Sequence, residues 1–289
     1  MQKINIEGHS GCKLEITDNV IFKSTSDSTY SKRLKKQCEK QKEFFTLLSC
    51  NENLIVPEVL NETWDKNSNN MRGGGADKLG FAMPYYNANN FIDFFETNAI
   101  ESIKEKVYAI LSFIDSNIRK CSSKCIEKEI LYNKCLEIES KLLPPIRQYF
   151  SPLLLKIQQE IDSLAETIEL PIGRCHGDLT FSNILFFGQK IVLIDFLDSF
   201  IETPLQDMVK LRQDTKHLWS LNLYKNKFDI AKIKMILDFL DRIIHAHFQI
   251  YPFYEMYYGI FQKINLLRIL PYAKEEKIIQ YLFREISIQ

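Results

Sequence analysis

The sequence predicts an α+β chain in two lobes, a small lobe over residues 1–85 built on an antiparallel sheet with one helix, and a mainly helical lobe over 86–289. Three patterns predict it. Apolar residues alternate with polar ones through the first 25 positions, the period of a half-buried strand. From about 91 to 170, and again beyond 200, apolar residues recur every three or four positions, the period of a helix packed on one side. Between those stretches, residues 183–195 read as a single hairpin.

Taken in order, Ile4 and Ile6 alternate with polar neighbours until the GHSG of 8–11 interrupts them. Leu14 and Ile16 resume the alternation, Asp18-Asn19 marks a turn, and VIFK at 20–23 forms a third strand. Over 30–48, Leu34, Cys38, Phe45 and Leu48 fall on one stripe with Lys and Glu opposite, which predicts a helix. Pro57 and Val59 begin a further strand. Residues 62–78, ETWDKNSNNMRGGGADK, are polar and glycine-rich and read as a hairpin tip. The triplet Gly73, Gly74 and Gly75 lacks the Lys-Ser/Thr pair of a phosphate-binding P-loop, so it reads as a flexible turn. A strand over 79–83 and a polar connector over 85–90 close the first lobe. In the second, Val107, Ile110, Leu111, Phe113 and Ile114 keep helical spacing, and Pro144, Pro145 and Pro152 divide the stretch into several helices. NILFF at 183–187, GQK at 188–190 and IVLID at 191–195 make the hairpin. Everything beyond 200 reads as helix.

Composition bounds the function. Lys plus Arg and Asp plus Glu both number 37, a formal charge of zero, which argues against gripping nucleic acid or an anionic membrane by bulk charge. No window approaches the length of apolar run that spans a bilayer, and the N-terminus lacks the apolar core of a secretory signal. The seven cysteines are odd in number and show no repeated spacing. Cys121 and Cys125 have no second ligand pair nearby to complete a zinc site. Reduced thiols and a cytoplasmic protein are the expectation.

The chemistry is concentrated in RCHGDLTFSNILFFGQKIVLIDF, residues 174–196. A loop ahead of a strand can present Asp178 to a hydroxyl. Asn183 at the start of that strand and Asp195 at the end of its hairpin partner can converge on one metal ion. Oxygen ligands of this kind suit Mg²⁺, which binds through one or two carboxylates plus substrate phosphates. An Asp beside a metal–phosphate complex is what phosphoryl transfer requires, because catalysis there is mostly positioning and charge stabilisation. His176 reads as a loop-bracing residue.

His176-Gly177-Asp178 with Asn183 and the later Ile194-Asp195-Phe196 resembles the aminoglycoside phosphotransferase and choline kinase-like superfamily, which shares the protein-kinase-like bilobal fold. Pro204 and Asp207 are similar to that family's tail after the metal-binding Asp. Thr203 stands where the family often has Asp, and Leu197-Asp198 replaces its commoner residues. The resemblance implies an ATP-dependent small-molecule kinase, with GTP as a possible donor, Asp178 as base, and Mg²⁺ on Asn183 and Asp195. In the first lobe it implies that the turn holding Gly8 and Gly11 meets the nucleotide phosphates, that Lys23 binds them, and that Ile21, on the same strand face, covers the adenine. It further implies a carboxylate from the following helix for Lys23, either Glu43 or Glu39, with Glu43 preferred. Met83-Pro84-Tyr85 falls at the interlobe hinge. Pro84 has no N–H, so Met83 or Tyr85 would supply the donor to adenine.

A non-catalytic nucleotide-binding scaffold is the competing reading. It predicts the loss of Lys23, Asp178, Asn183 or Asp195, and all four are present. The expected acceptor is a small-molecule hydroxyl. From 196 to 289 there are 13 Lys/Arg and 11 Asp/Glu, which disfavours a polycationic aminoglycoside. The expectation is a neutral or anionic sugar or sugar derivative, with choline- or ethanolamine-like amines as the alternative. Tyr251, Phe253, Tyr254, Tyr257, Tyr258 and Phe261 could stack on a sugar or cage an ammonium, but their helical spacing favours core packing.

Overall fold

A computed structural model describes residues 4–7, 12–64 and 78–288. The phosphate turn expected at Gly8 and Gly11, and the Gly73–75 triplet, lie outside the described residues. The chain folds as two compact units, Met1–Thr97 with Ser182–Asp198, and Asn98–Phe181 with Ser199–Gln289. The hairpin that the sequence reading placed in the second lobe therefore packs with the first unit.

In the first unit, β1 (Ile4–Glu7), β2 (Lys13–Thr17) and β3 (Val20–Thr25) form the expected antiparallel run. Asp18 and Asn19 both take positive φ, as a two-residue hairpin turn between twisted strands demands. Helix α1 (Ser28–Leu47) starts at Asp27, whose side chain accepts the Thr29 N–H. Its buried stripe is Leu34, Gln37, Cys38, Gln41 and Phe44, so the buried ring is Phe44 rather than the expected Phe45. Short strands β4 (Leu54–Ile55) and β5 (Asn61–Thr63) follow, then β6 (Leu79–Pro84) and helix α2 (Phe91–Thr97). The five-stranded sheet has the order β1-β2-β3-β6-β5. Strands β3 and β6 lie so close at Gly80 that a Cβ there would sit 2.1 Å from the Lys23 carbonyl oxygen. Glycine at 80 thus keeps the strand bearing Lys23 in register.

The second unit begins with α3 (Ile100–Lys120), β7 (Ser122–Glu127), α4 (Glu129–Ser140), α5 (Pro144–Asp162) and β8 (Thr167–Ile172). Strands β7 and β8 pair antiparallel across the two intervening helices. Sequence patterning missed this ribbon because SSKCIE is exposed at five of its six positions and shows no apolar alternation. The chain then returns to the first unit as β9 (Ile184–Phe187) and β10 (Lys190–Leu193), the expected hairpin. Strand β10 also pairs parallel with β4, joining residues more than a hundred positions apart, and the Phe94 ring of α2 stacks on Phe186 of β9 at 4.2 Å.

Helices α6 (Pro204–Thr215), α7 (Ile230–Phe248), α8 (Pro252–Leu267) and α9 (Glu276–Ser287) complete the second unit, as expected beyond residue 200. Every residue of α6 is buried, including Gln206, Asp207, Lys210, Arg212, Gln213, Asp214 and Thr215. A helix buried on all sides is ordinarily apolar throughout. Burying this many polar groups is tolerable only where they are paired or used.

Candidate active site

In the first unit the site is assembled around Lys23, which is 3% exposed. Its ammonium donates to Asp195 Oδ1 at 2.8 Å and to Gln37 Oε1 at 2.9 Å. Burial alone would lower the lysine pKa, but the Asp195 carboxylate more than offsets this and holds the pKa above the ordinary value. Lys23 is therefore a fixed cation on a rigid strand. Asp195 sits just past β10 with φ +60, a left-handed conformation that Asp tolerates better than most residues. The Ile194 N–H donates to the Asn183 carbonyl at 3.1 Å, which continues the hairpin register beyond its strands and sets Asn183 and Asp195 at one end of the hairpin.

The donor set of that pair fits a hard divalent cation. One amide and one carboxylate offer oxygen only, and no group of three or more His, Cys, Asp or Glu among the described residues could enclose a metal. A cation held here has to complete its shell with water and phosphate oxygens, which is the habit of Mg²⁺.

Several expected contacts are replaced. Glu39 and Glu43 lie on the exposed face of α1, and Lys23 meets neither. The helix supplies Gln37 instead, because only the buried stripe of α1 faces the strand that bears Lys23. Ile21 shares the Lys23 face but packs against the cluster of Leu34, Cys38, Phe81 and Met83. The Tyr85 N–H, one of two donors expected for adenine, is already given to the Asn19 carbonyl at 2.7 Å. Met83 lies opposite Ile21 in the ladder.

In the second unit the loop 176–181 is held by α6. The Asp207 carboxylate accepts the backbone N–H groups of His176 at 2.7 Å and Gly177 at 2.8 Å. Asp214, two turns along the same helix, accepts the Phe181 N–H at 2.5 Å and both the N–H and hydroxyl of Ser220. Hydrogen bonds to ionised acceptors are about twice as strong as neutral ones, so two carboxylates clamp the loop at both ends. Gly177 turns at φ +89, a region that favours glycine. His176 is fully buried and its Nδ1 accepts the Asp178 N–H at 3.2 Å, which is the bracing role expected of it. Thr203 caps α6. Its hydroxyl accepts the Leu205 N–H at 3.3 Å, and Pro204 follows at the first helical position.

The loop so fixed presents Asp178. Its Oδ1 lies 3.0 Å from the Lys210 ammonium, with the two side chains 26% and 9% exposed. Burial raises the Asp178 pKa, and Lys210 overcomes that effect and leaves it below the usual carboxylate value. For Lys210 burial dominates and the pKa is lowered, with Arg268 acting in the same sense. Lys210 and Gln37 were not singled out from sequence. The signal for Lys210 was its place one helical turn after Asp207; for Gln37, it was a polar residue at i+3 from Leu34 on an apolar stripe.

The sequence profile of the phosphotransferase enzyme family matches residues 139–229, which include Asp178, Asn183, Asp195 and Lys210. No curated protein sequence matches the chain. Among solved structures, the chain is similar to a glucosamine kinase in complex with glucosamine, ADP and inorganic phosphate. Identity is 10%, coverage 99% of this chain and 79% of that one, and the TM-score 0.57. It is also similar to an amicoumacin kinase in complex with AMP-PNP, Ca²⁺ and Ami, at 13% identity, 99% and 87% coverage and a TM-score of 0.57. A choline/ethanolamine kinase family protein from Mesorhizobium loti matches at 12% identity, 100% and 87% coverage and a TM-score of 0.53. The protein-kinase-like fold expected from the sequence is the fold observed.

Proposed function

We propose that the chain is an ATP-dependent phosphotransferase that moves the γ-phosphate to a hydroxyl of a small molecule, a sugar or sugar derivative. The observation that carries the proposal is the ion pair between Lys23 and Asp195. Two residues assigned by sequence to phosphate and metal binding, 172 positions apart, stand 2.8 Å from each other. A cation and a carboxylate on rigid strands are what a metal–nucleotide complex needs, one for phosphate oxygens and one for the ion.

Asn183 and Asp195 would hold Mg²⁺, and the ion would neutralise charge on the transferring phosphate. Lys23 binds phosphate oxygens, and Met83 offers its backbone to the base. Asp178 accepts the proton of the acceptor hydroxyl while the new P–O bond forms to that oxygen and the bond to ADP breaks. Its depressed pKa keeps it ionised, hence able to accept, at neutral pH. Lys23, Asp178, Asn183 and Asp195 all retain the chemistry a catalyst needs, which favours the enzyme over a nucleotide-binding scaffold.

The aromatic run is packing material, so it offers neither a cage for a choline-like amine nor a platform for a sugar ring. Tyr254, Tyr257 and Phe261 are buried in α8, and the Tyr254 hydroxyl is tied to Arg212 at 2.7 Å. The Tyr258 ring already lies against the Arg212 guanidinium at 4.8 Å.

Asp178→Asn tests the mechanism, since it keeps the shape and removes the base. General bases contribute about 10²–10⁴-fold, so kcat should fall by that factor while the nucleotide Kd stays unchanged. Near wild-type turnover in the purified variant would remove Asp178 from the chemistry.

A further inference from the structure

Helices α6, α8 and α9 border a cavity of about 530 Å³ within the second unit, lined by Lys216, His217, Tyr258, Gly259, Glu285 and Ile288. That volume is in the range of sites that take small molecules. None of these residues belongs to the site described above. Lys210 meets Asp178, and Lys216 follows it by six residues, about 9 Å further along the helix axis and about 120° round it. Lys216 therefore stands on a different side of α6 from the lysine that meets the proposed base.

Among the charged groups at this cavity, Lys216 is the one without a bonded counter-charge. Glu285 is held ionised below its usual pKa, and its Oε2 lies 2.9 Å from His217 Nδ1. Its Oε1 accepts the Arg284 guanidinium at 3.0 and 2.8 Å. Burial lowers the His217 pKa, so the ring is neutral at pH 7 and adds no charge. Arg212, whose guanidinium lies 4.8 Å from the Tyr258 ring, is paired with Asp241 through two hydrogen bonds. Lys216 has no hydrogen bond or ion pair among the described residues, and its ammonium stands 5.7 Å from the Tyr258 ring. Partial burial lowers its pKa and Arg212 adds to the effect. Asp241 and Glu285, each already bound to an arginine, oppose that shift without reversing it.

Gly259 is a second, independent observation. It stands inside α8 without a positive φ, and a Cβ there would meet nothing within 4 Å. Neither backbone conformation nor close packing calls for glycine at this position, and glycine is among the least favourable residues inside a helix. What the missing side chain leaves is room in the cavity wall.

We infer that this cavity is a binding site for a small organic carboxylate, with the anionic group on Lys216 and the carbon skeleton along Gly259 and Ile288. One unpaired ammonium suits a single negative charge, because Glu285 borders the same space and would repel a second. The site is separate from phosphate transfer, and the inference does not rest on the kinase reading.

Isothermal titration of the full chain with benzoate, phenylacetate and isovalerate, each beside its amide, tests the assignment. The expected result is saturable binding of at least one carboxylate, with a Kd about tenfold or more below that of its amide. Lys216→Met should weaken that binding about tenfold. Gly259→Leu should abolish it while Tm stays at or above the wild-type value, since leucine is the better helix former. Lys234→Met, on the exposed face of α7, should change nothing. Lys216 remains accessible to solvent, so its variant carries the test alone if Gly259→Leu lowers Tm. An amide that binds as well as its acid overturns the selection by Lys216. Binding that survives both Lys216→Met and Gly259→Leu lies elsewhere on the protein and overturns the site. Absence of saturable binding by every carboxylate overturns the inference outright.

Discussion

Lys23 and Asp195 show how much of a site can hang on one pair of side chains. The lysine is buried on β3, and Asp195 and Gln37 are the partners that make burial tolerable. Removing one member of a fully buried pair costs about 3–5 kcal/mol. Asp195 is 40% exposed, so the cost to the fold here should be smaller than that range. The larger effect should fall on ligand binding. Asp195→Ala is expected to fold, with a modest drop in Tm, and to lose the Mg²⁺-dependent part of the stabilisation by ATP. Thermal shifts with ATP and EDTA, and with ATP and Mg²⁺, measure that part directly. An equal Mg²⁺ response in variant and wild type would show that Asp195 is no metal ligand.

At the scale of elements, α6 does two jobs with one buried surface. Asp207 in its first turn and Asp214 in its last clamp the loop bearing Asp178, and Arg212 in the last turn anchors the helix in the unit. There Arg212 makes paired hydrogen bonds to Asp241 of α7 at 2.9 and 2.7 Å and a third bond to the Tyr254 hydroxyl of α8. Thr215 adds a bond to the same Asp241 carboxylate. Burial raises the Asp241 pKa and Arg212 outweighs it, so the carboxyl sits below its usual value. Asp241→Ala should therefore cost about 3 kcal/mol, because it leaves a buried guanidinium short of its partner. Asp238→Ala, three residues earlier on α7, breaks only an exposed pair with Arg242 and should cost under about 1 kcal/mol. Urea midpoints of the two variants, with m-values compared, check the contrast. Similar losses in both would mean that α6 is not anchored through Arg212.

For the molecule as a whole, the buried carboxyls set how stability responds to pH. Burial pushes Asp214 up to about 6, against the hydrogen bonds it accepts from Ser220 and Phe181. A folded pKa above the unfolded value of about 3.9 means that the native state binds the extra proton. The penalty for keeping Asp214 ionised is complete above pH 6 and vanishes below about pH 4. The Asp214 contribution to stability should therefore rise as pH falls from 7 to 5, by about 1 kcal/mol in that window, against an opposite contribution from His217 and His245, whose pKa values burial lowers. At lower pH the gain reverses, because Asp178, Asp241 and Glu285 have depressed pKa values and lose their favourable charge as they are protonated. Asp214→Asn should remove the rise between pH 7 and 5 and leave the acid limb. Tm recorded against pH for both proteins tests it, and an unchanged slope in the variant would assign the titration to another group.

The candidate site groups were legible in the sequence because they are local. Asp178, Asn183 and Asp195 lie within one loop and one hairpin, and such spacing is set by short-range geometry. The strands, the first helix and the helical second lobe were legible for the same reason, since periods of two and 3.6 report which face is buried. The tertiary structure alone decided what those groups touch. Nothing near Lys23 in sequence says that its helix partner is Gln37 rather than Glu43, because the choice depends on which stripe of α1 turns inward against the sheet. The parallel pairing of β4 with β10 and the polar β7–β8 ribbon leave no periodic trace. The ion pair between Asp178 and Lys210 is of the same kind. Burial and long-range pairing are properties of the packed chain, and a one-dimensional pattern records them only where one face of an element is apolar and the other is not.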